Sequence, residues 1–265
     1  MIPRLYISLP LTQTTVIPLT ADQVHYLKNV LRRAVGDPVL LFNGIDGEFR
    51  ATLSELKKKS GLAVLEDRTR EQERVPDLSL LFAPVKRGPL EMIVQKATEL
   101  GVRSMVPVLT ERTTAARLNN DRLQAIAVEA AEQSGRLTVP TVSKAEKLPA
   151  LISALPEGMH IMFCDEAGDD KAAPWGGDVG RAAPVLDALA SLSSAGKWAV
   201  LTGPEGGFSV EERSMLRAHP MVVPVTLGPR ILRADTAVIA ALSLWQAALG
   251  DWQSTDSVKE GAIDV

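Results

Sequence analysis

The sequence predicts an α/β protein in two parts, a small and mostly β module followed by a larger domain built on a parallel sheet. Three observations carry that prediction. Up to about residue 74, short β-like runs are separated by Gly and Asp turn signals. Beyond it, short runs that are apolar on both faces alternate with longer helical patterns, the character of parallel strands covered by helices. Between them, Glu66 to Arg74, followed by Pro76, is charged and almost free of apolar residues, which reads as a linker. The expected domains are therefore 1–74 and 75–265.

Each element has its own justification. In the first part, Val39 to Phe42 and Gly47 to Leu53 read as strands, bounded by Gly44, Asp46 and Gly61. A helix is expected from Ala21 to Leu31, where Val24, Leu27, Lys28 and Leu31 recur at helical spacing and Thr20 can cap the start. It runs into Arg32 and Arg33. In the second part, strands are expected at Leu78 to Val85, Met105 to Leu109, His160 to Cys164, Trp198 to Leu201 and Val222 to Leu227. Pro89 and Gly101 bracket a helix over Leu90 to Leu100, and Ser209 with Glu212 forms a capping box for Val210 to His219. Ala167 to Pro184 is rich in Asp, Gly and Pro and is expected to be a surface insertion without regular structure. The polar end, Asp251 to Val265, is expected to fray.

Composition narrows the function. With 265 residues, 46% of them hydrophobic, the chain can bury ample cores. The single Cys164 excludes an intrachain disulfide and a cysteine-rich zinc site, and points to a reducing compartment. Met1 to Arg4 does not start a signal peptide, and the apolar run Ala237 to Leu249 falls short of the roughly 20 residues a membrane span needs. A cytoplasmic protein without metal or membrane partner is the expectation. The net charge of −3 disfavours a nucleic-acid partner when taken alone. It hides an asymmetry, however: residues 1–74 hold 11 Lys/Arg against 9 Asp/Glu, and the remainder 18 against 23. The first part is the better candidate for touching phosphate, although on charge alone ordinary surface variation is the better explanation of a difference this small.

Two segments carry chemistry. Trp198 to Ser209 is an apolar strand running into Gly203-Pro-Glu-Gly-Gly207 and then a capped helix, and glycines at a strand's carboxyl end let backbone approach a ligand closely. Glycines also make tight turns without ligands, so that alternative stays open. No Gly-Lys-Ser/Thr follows the turn and the G-x-G-x-x-G spacing is absent, which argues against a phosphate-cradling loop or a nicotinamide site. The second segment, Val225 to Ala237, is again a strand followed by Gly228, then Arg230 and Arg233, then a helix with Asp235 and Thr236 near its start. An arginine at a buried strand end needs an anion or a partner, which here is either a ligand or Asp235.

Leu-Thr-Gly-Pro-Glu-Gly-Gly-Phe at 201–208, with Leu-Gly-Pro-Arg-Ile-Leu-Arg at 227–233, resembles the paired signature of the SPOUT methyltransferases, and specifically the RsmE family of small-subunit ribosomal RNA uridine-N3 methyltransferases. Gln95 to Gly101, Glu129 to Arg136, and His25 to Arg32 with Gly36-Asp37 are similar to that family as well. One departure is Asp235, where the family carries Glu. The resemblance implies a PUA-like RNA-binding domain, a C-terminal sheet with a trefoil knot, a homodimer, and S-adenosylmethionine as cofactor. Periodicity alone predicts an unknotted sheet. By the resemblance, the cofactor is held by Leu201, Thr202, Gly203, Pro204, Glu205, Gly206 and Gly207, and by Leu227, Gly228, Ile231, Leu232, Arg233 and Thr236.

Methyl transfer needs neither metal nor covalent enzyme intermediate, and positioning does most of the work. Uridine N3 becomes a nucleophile once its proton leaves, so the site must accept that proton or stabilise the imide anion. Arg233 and Arg136 are expected to hold anionic or phosphate groups, Arg136 across a dimer, with Glu205 or Asp235 as proton acceptor. Arg4, Arg32 and Arg33 are expected to grip RNA phosphates while the target base is splayed out. A plainer reading of Arg32 and Arg33 is that they complement a helix dipole, and of His25 that it is a packing or hydrogen-bonding residue. Two other functions remain open: a SPOUT enzyme for another RNA nucleotide, and an RNA-binding ribosome assembly factor without activity.

Overall fold

The computed structural model describes residues 2–11, 15–114, 118–170, 172–173, 176–193 and 195–253. They form two compact units. The first comprises the chain up to Arg74 together with Val128–Val139, and the second comprises Val75–Ala127 and the chain from Pro140 onward.

The first unit is a five-stranded sheet formed by β1 (Arg4–Tyr6), β2 (Val16–Leu19), β3 (Pro38–Phe42), β4 (Glu48–Leu56) and β5 (Gly61–Arg70), in the order β1-β3-β4-β5-β2. Its pairs are antiparallel except β1 with β3. In β4, Phe49, Ala51 and Leu53 turn into a core with Leu5, Ile17, Leu27 and Leu41, and the residues between them face outward. Helix α1 (Ala21–His25) starts at the expected cap: Thr20 Oγ1 accepts from the Gln23 amide at 3.3 Å and Gln23 Oε1 accepts from the Thr20 amide at 2.9 Å. The predicted helix to Leu31 is not uniform. After His25 it widens into a π turn over Tyr26–Val30, closed by the Leu31 amide on the Tyr26 carbonyl at 3.0 Å, and Arg32 then takes a left-handed φ of 56°.

The expected linker is corrected by β5, which runs to Arg70. Glu66, Asp67 and Arg68 are exposed and offer no apolar alternation to read, yet their backbone pairs with β4, and charged pairs such as Arg50–Glu66 lie along the ribbon. Backbone pairing needs no apolar face, so composition concealed the strand.

The second unit is an eight-stranded, all-parallel sheet flanked by helices. In chain order its elements are β6 (Leu78–Phe82), α2 (Arg87–Glu99), β7 (Ser104–Leu109), the first part of α3 (Asn120–Ser134), β8 (Thr141–Val142), β9 (Glu146–Lys147), α4 (Leu148–Ser153), β10 (Met159–Cys164), β11 (Ala183–Pro184), α5 (Val185–Leu189), β12 (Lys197–Thr202), α6 (Val210–Ala218), β13 (Val222–Thr226) and α7 (Ala234–Leu249). The order is β11-β13-β10-β12-β6-β7-β8, with β9 paired to β7. All five residues of β6 are buried, as a strand between two neighbours and two helical layers requires. Helix α2 begins at Arg87 rather than Leu90, because the amides of a first turn have no intrahelical partner and Pro89 costs nothing there. Gly101 ends it with φ 86°.

Helix α3 is divided between the units after Ala127. Within the first unit, its last turns and the segment behind them bring Ala131 and Leu137 against Phe42, with Tyr6 and Val139 alongside. Arg4 closes the helix end: its guanidinium donates to the carbonyls of Ala131, Glu132 and Arg136, each at 2.9 Å, pairs with Glu48 at 2.7 Å, and lies 4.6 Å from the Phe42 ring centre.

Candidate active site

The loops that leave β7, β10, β12 and β13 emerge at one edge of the second unit's sheet, the carboxyl edge where open parallel sheets bind ligands. They enclose a cavity of about 790 Å³. One wall is the glycine turn after β12. Here a Cβ on Gly203 would meet the Phe208 ring at 2.6 Å, and Gly207 has φ 67°, so both positions favour glycine. The turn delivers the chain to the α6 capping box, in which Ser209 Oγ accepts from the Glu212 amide at 3.2 Å and Glu212 Oε2 from the Ser209 amide at 3.0 Å. A second wall comes from the loop after β13, which contributes Leu227, Ile231 and Leu232, and from Ala234 and Ala237 of α7. Backbone groups thus face apolar side chains across the cavity.

Two further loops complete the site. Arg112, after β7, lines the cavity and donates to the Gly206 carbonyl at 3.0 Å. Beside it, Glu212 Oε1 accepts from the Glu111 amide at 2.8 Å, so a buried carboxylate stitches this loop to α6. The segment after β10, from Cys164 through Asp170, forms the remaining wall. The expected insertion, Ala167 to Pro184, is corrected at its end, where Ala183–Pro184 joins the sheet as β11; residues 171, 174 and 175 lie outside the described residues. Burial, reinforced by the Glu166 and Asp165 carboxylates, pushes the Cys164 thiol far above its ordinary range and leaves it unreactive. Among the described residues, no group of three or more His, Cys, Asp or Glu is placed to hold a metal ion.

Of the residues singled out from sequence, Thr202, Gly203, Pro204, Glu205, Gly206, Gly207, Leu227, Ile231 and Leu232 line the cavity. Leu201 lies wholly buried beneath it in the sheet core. Gly228 follows Leu227 and its carbonyl accepts from Arg181 at 2.9 Å. Arg233 occupies the N-cap position of α7 between two lining residues, with its side chain exposed, while Asp235 accepts from the Thr236 amide at 2.8 Å. Arg136 belongs to the first unit, where it is buried and donates to Thr138 at 2.7 Å. Arg4 is turned inward and four of its five N–H groups are used, so it caps a helix instead of presenting charge. His25 bonds Asn29 at 2.8 Å.

Sequence reasoning missed Arg112, Asp165, Glu166 and Arg213. The signal was present for the first three: each lies within three residues of the end of an apolar run, at the same strand end as the glycine turns. Lys57, Lys58 and Lys59 were missed as well. They form the exposed turn between β4 and β5, and the loop bearing Arg32 and Arg33 pairs with β4 nearby, its Gly36 amide on the Leu53 carbonyl at 2.7 Å.

Residues 71–246 match the RNA methyltransferase domain family and residues 19–66 the RNA methyltransferase PUA domain family, so fold and sequence together define a PUA-bearing RNA methyltransferase. Ribosomal RNA small subunit methyltransferase E of Rickettsia conorii is 32% identical over 241 residues, covering 91% of this chain and 93% of that one. Its counterpart from Synechocystis is 35% identical over 239 residues, 88% of this chain and 73% of that one. The crystal structure of ribosomal RNA small subunit methyltransferase E from Neisseria gonorrhoeae, bound to S-adenosyl methionine, superposes with a TM-score of 0.78 at 28% identity, covering 95% of this chain and 100% of that one. The chain belongs to the ribosomal RNA small subunit methyltransferase E family.

Proposed function

We propose that this protein methylates N3 of a uridine in small-subunit ribosomal RNA, with S-adenosylmethionine as donor. The observation that carries the reading is the cavity at the sheet's carboxyl edge, between a backbone-rich glycine turn and an apolar loop. Its volume of about 790 Å³ and mixed lining suit a ligand with an aromatic base at one end and a charged amino acid at the other. Leu227, Ile231 and Leu232 offer the apolar surface for a purine, and the backbone of Thr202 to Gly207 offers hydrogen bonds at a distance that side chains would prevent.

S-adenosylmethionine supplies an electrophilic methyl group on a sulfonium. The protein's part is to place uridine N3 in line with that methyl and to manage the N3 proton. The exposed guanidinium of Arg233, which lies in the chain between the lining residues Leu232 and Ala234, would reach the uracil carbonyl oxygens and stabilise the imide anion. Glu205, exposed on the glycine turn, is the carboxylate best placed to receive the proton. The reading includes a homodimer, in which Arg136 would have to leave its buried contact with Thr138 to hold a phosphate at the other copy's site. Arg32 and Arg33, joined by Lys57, Lys58 and Lys59 at the same end of the first sheet, grip the RNA backbone. Among the described residues no helix is long and apolar enough to cross a membrane, and the reading places the enzyme in the cytoplasm with its ribosomal substrate. The reading also assigns the trefoil knot loops to Leu201–Gly207 and Leu227–Thr236.

The test is calorimetric titration of S-adenosylmethionine into the wild-type protein and Arg233→Ala, followed by mass spectrometry of ribosomal RNA incubated with each. Saturable binding and a new methyl on a small-subunit uridine, absent with the variant, is the expected result. A folded protein that binds no cofactor would leave only RNA binding, and a methyl on another nucleotide would overturn the substrate.

A further inference from the structure

Two adjacent carboxylates follow β10, and each reaches a different wall of the cavity. Asp165 is 2% exposed; its Oδ1 accepts from Arg213 Nε at 2.8 Å and its Oδ2 from Arg217 Nε at 2.7 Å. Both arginines lie on α6, the helix that the glycine turn opens into. Arg213 also draws the loop in behind Asp165, donating to the carbonyls of Ala167 at 2.6 Å and Gly168 at 3.1 Å. Glu166 serves the other wall. Its Oε1 accepts from the Leu227 amide at 2.7 Å and its Oε2 from the Thr226 hydroxyl at 2.8 Å, while Arg181 approaches at 3.5 Å and donates in turn to the Gly228 carbonyl at 2.9 Å.

A buried carboxylate is costly to leave unpaired, and charge-assisted hydrogen bonds are directional, so such a brace has one arrangement and not a continuum. The glycine turn itself contributes mainly backbone and has little side-chain packing with which to hold its distance from Leu227. We propose that Asp165 and Glu166 are positioning residues for the cofactor, fixing the gap between the glycine turn and the Leu227–Leu232 wall. This rests on reading the cavity as the cofactor site. The brace lies beyond the strand end, whereas the core beneath is filled by Leu81, Ile161, Phe163, Ala199 and Leu201 without it. Loosening the brace therefore spoils preorganisation for the ligand more than it spoils the fold.

The experiment is titration of S-adenosylmethionine into the full chain as wild type, Glu166→Ala, Glu166→Gln and Asp165→Asn, with the melting temperature of each and steady-state kinetics on ribosomal RNA. Glu166→Ala should weaken cofactor binding by about tenfold. Glu166→Gln should recover part of that loss, because it keeps an oxygen for the Leu227 amide. KM for the cofactor should rise while kcat at saturation stays within about twofold, since the reacting groups are untouched. Wild type and variants binding equally would overturn the proposal alone, as would affinity and kcat falling together in step with melting temperature. No binding even by wild type would instead remove the cofactor reading on which it rests. Should Asp165→Asn fail to fold, the two Glu166 variants decide.

Discussion

Glu132, in the last turn of α3, is mostly buried and accepts the Tyr6 amide at 2.9 Å. Burial raises its carboxyl from 4.5 to about 7, with the Tyr6 amide opposing, the Glu129 charge adding and Arg4 opposing again. The folded chain thus holds this proton more tightly than the unfolded one. The stability contributed by the neutral form is complete below pH 4.5 and is lost as pH rises through about 7. Glu132→Gln stays neutral and can still accept from Tyr6. Its melting temperature should exceed that of wild type above neutrality and converge with it near about pH 5; parallel melting curves for the two proteins across that range would contradict this origin of the shift. At this scale the sequence was legible only where partners are neighbours. Thr20 with Gln23 and Ser209 with Glu212 declare themselves through local spacing, but the residues that Arg4 binds, around Glu132, become neighbours only through the fold.

Helix α6 joins local and site-level structure. Its capping box satisfies first-turn amides, and the same Glu212 holds the loop after β7 through the Glu111 amide. Ser209→Ala should cost about 1 kcal/mol, the ordinary value of a lost cap, measured by chemical denaturation. Glu212→Ala should cost more than Ser209→Ala, because the Glu111 amide loses its partner as well; equal costs would mean that the loop contact contributes nothing. Elements whose faces are distinct were legible: the core strands β6, β7, β10, β12 and β13 each overlap an apolar run visible in the sequence, β7 and β10 extending it by one residue at the start and β12 by one at each end. The illegible ones lack such faces. β5 is polar on its last half, β11 spans two residues, and the π turn after His25 keeps the apolar spacing of a helix while changing its pitch.

Across the whole molecule, a compact unit and a continuous stretch of sequence are different things. Val128–Val139 completes the first unit, burying Phe42 and supplying the carbonyls that occupy Arg4. A fragment ending at Arg74 should therefore lack a cooperative thermal transition, and adding a peptide spanning residues 128–139 should restore one; circular dichroism on both samples decides, and a fragment that melts cooperatively alone would show the helix to be dispensable. No periodicity marks this exchange, since an amphipathic helix does not reveal which surface receives its apolar stripe.

The strand order bears also on how the chain is made. Leu78–Phe82 is paired on one side with β7, which follows closely, and on the other with Lys197–Thr202, near the far end of the sequence. Until that second partner is made, one edge of β6 keeps its backbone N–H and C=O groups unpaired by a neighbouring strand. Such an edge is a template for misassociation. Pairing β6 on both sides thus waits on a contact that spans more than a hundred residues of chain, so the sheet closes late relative to its first strands.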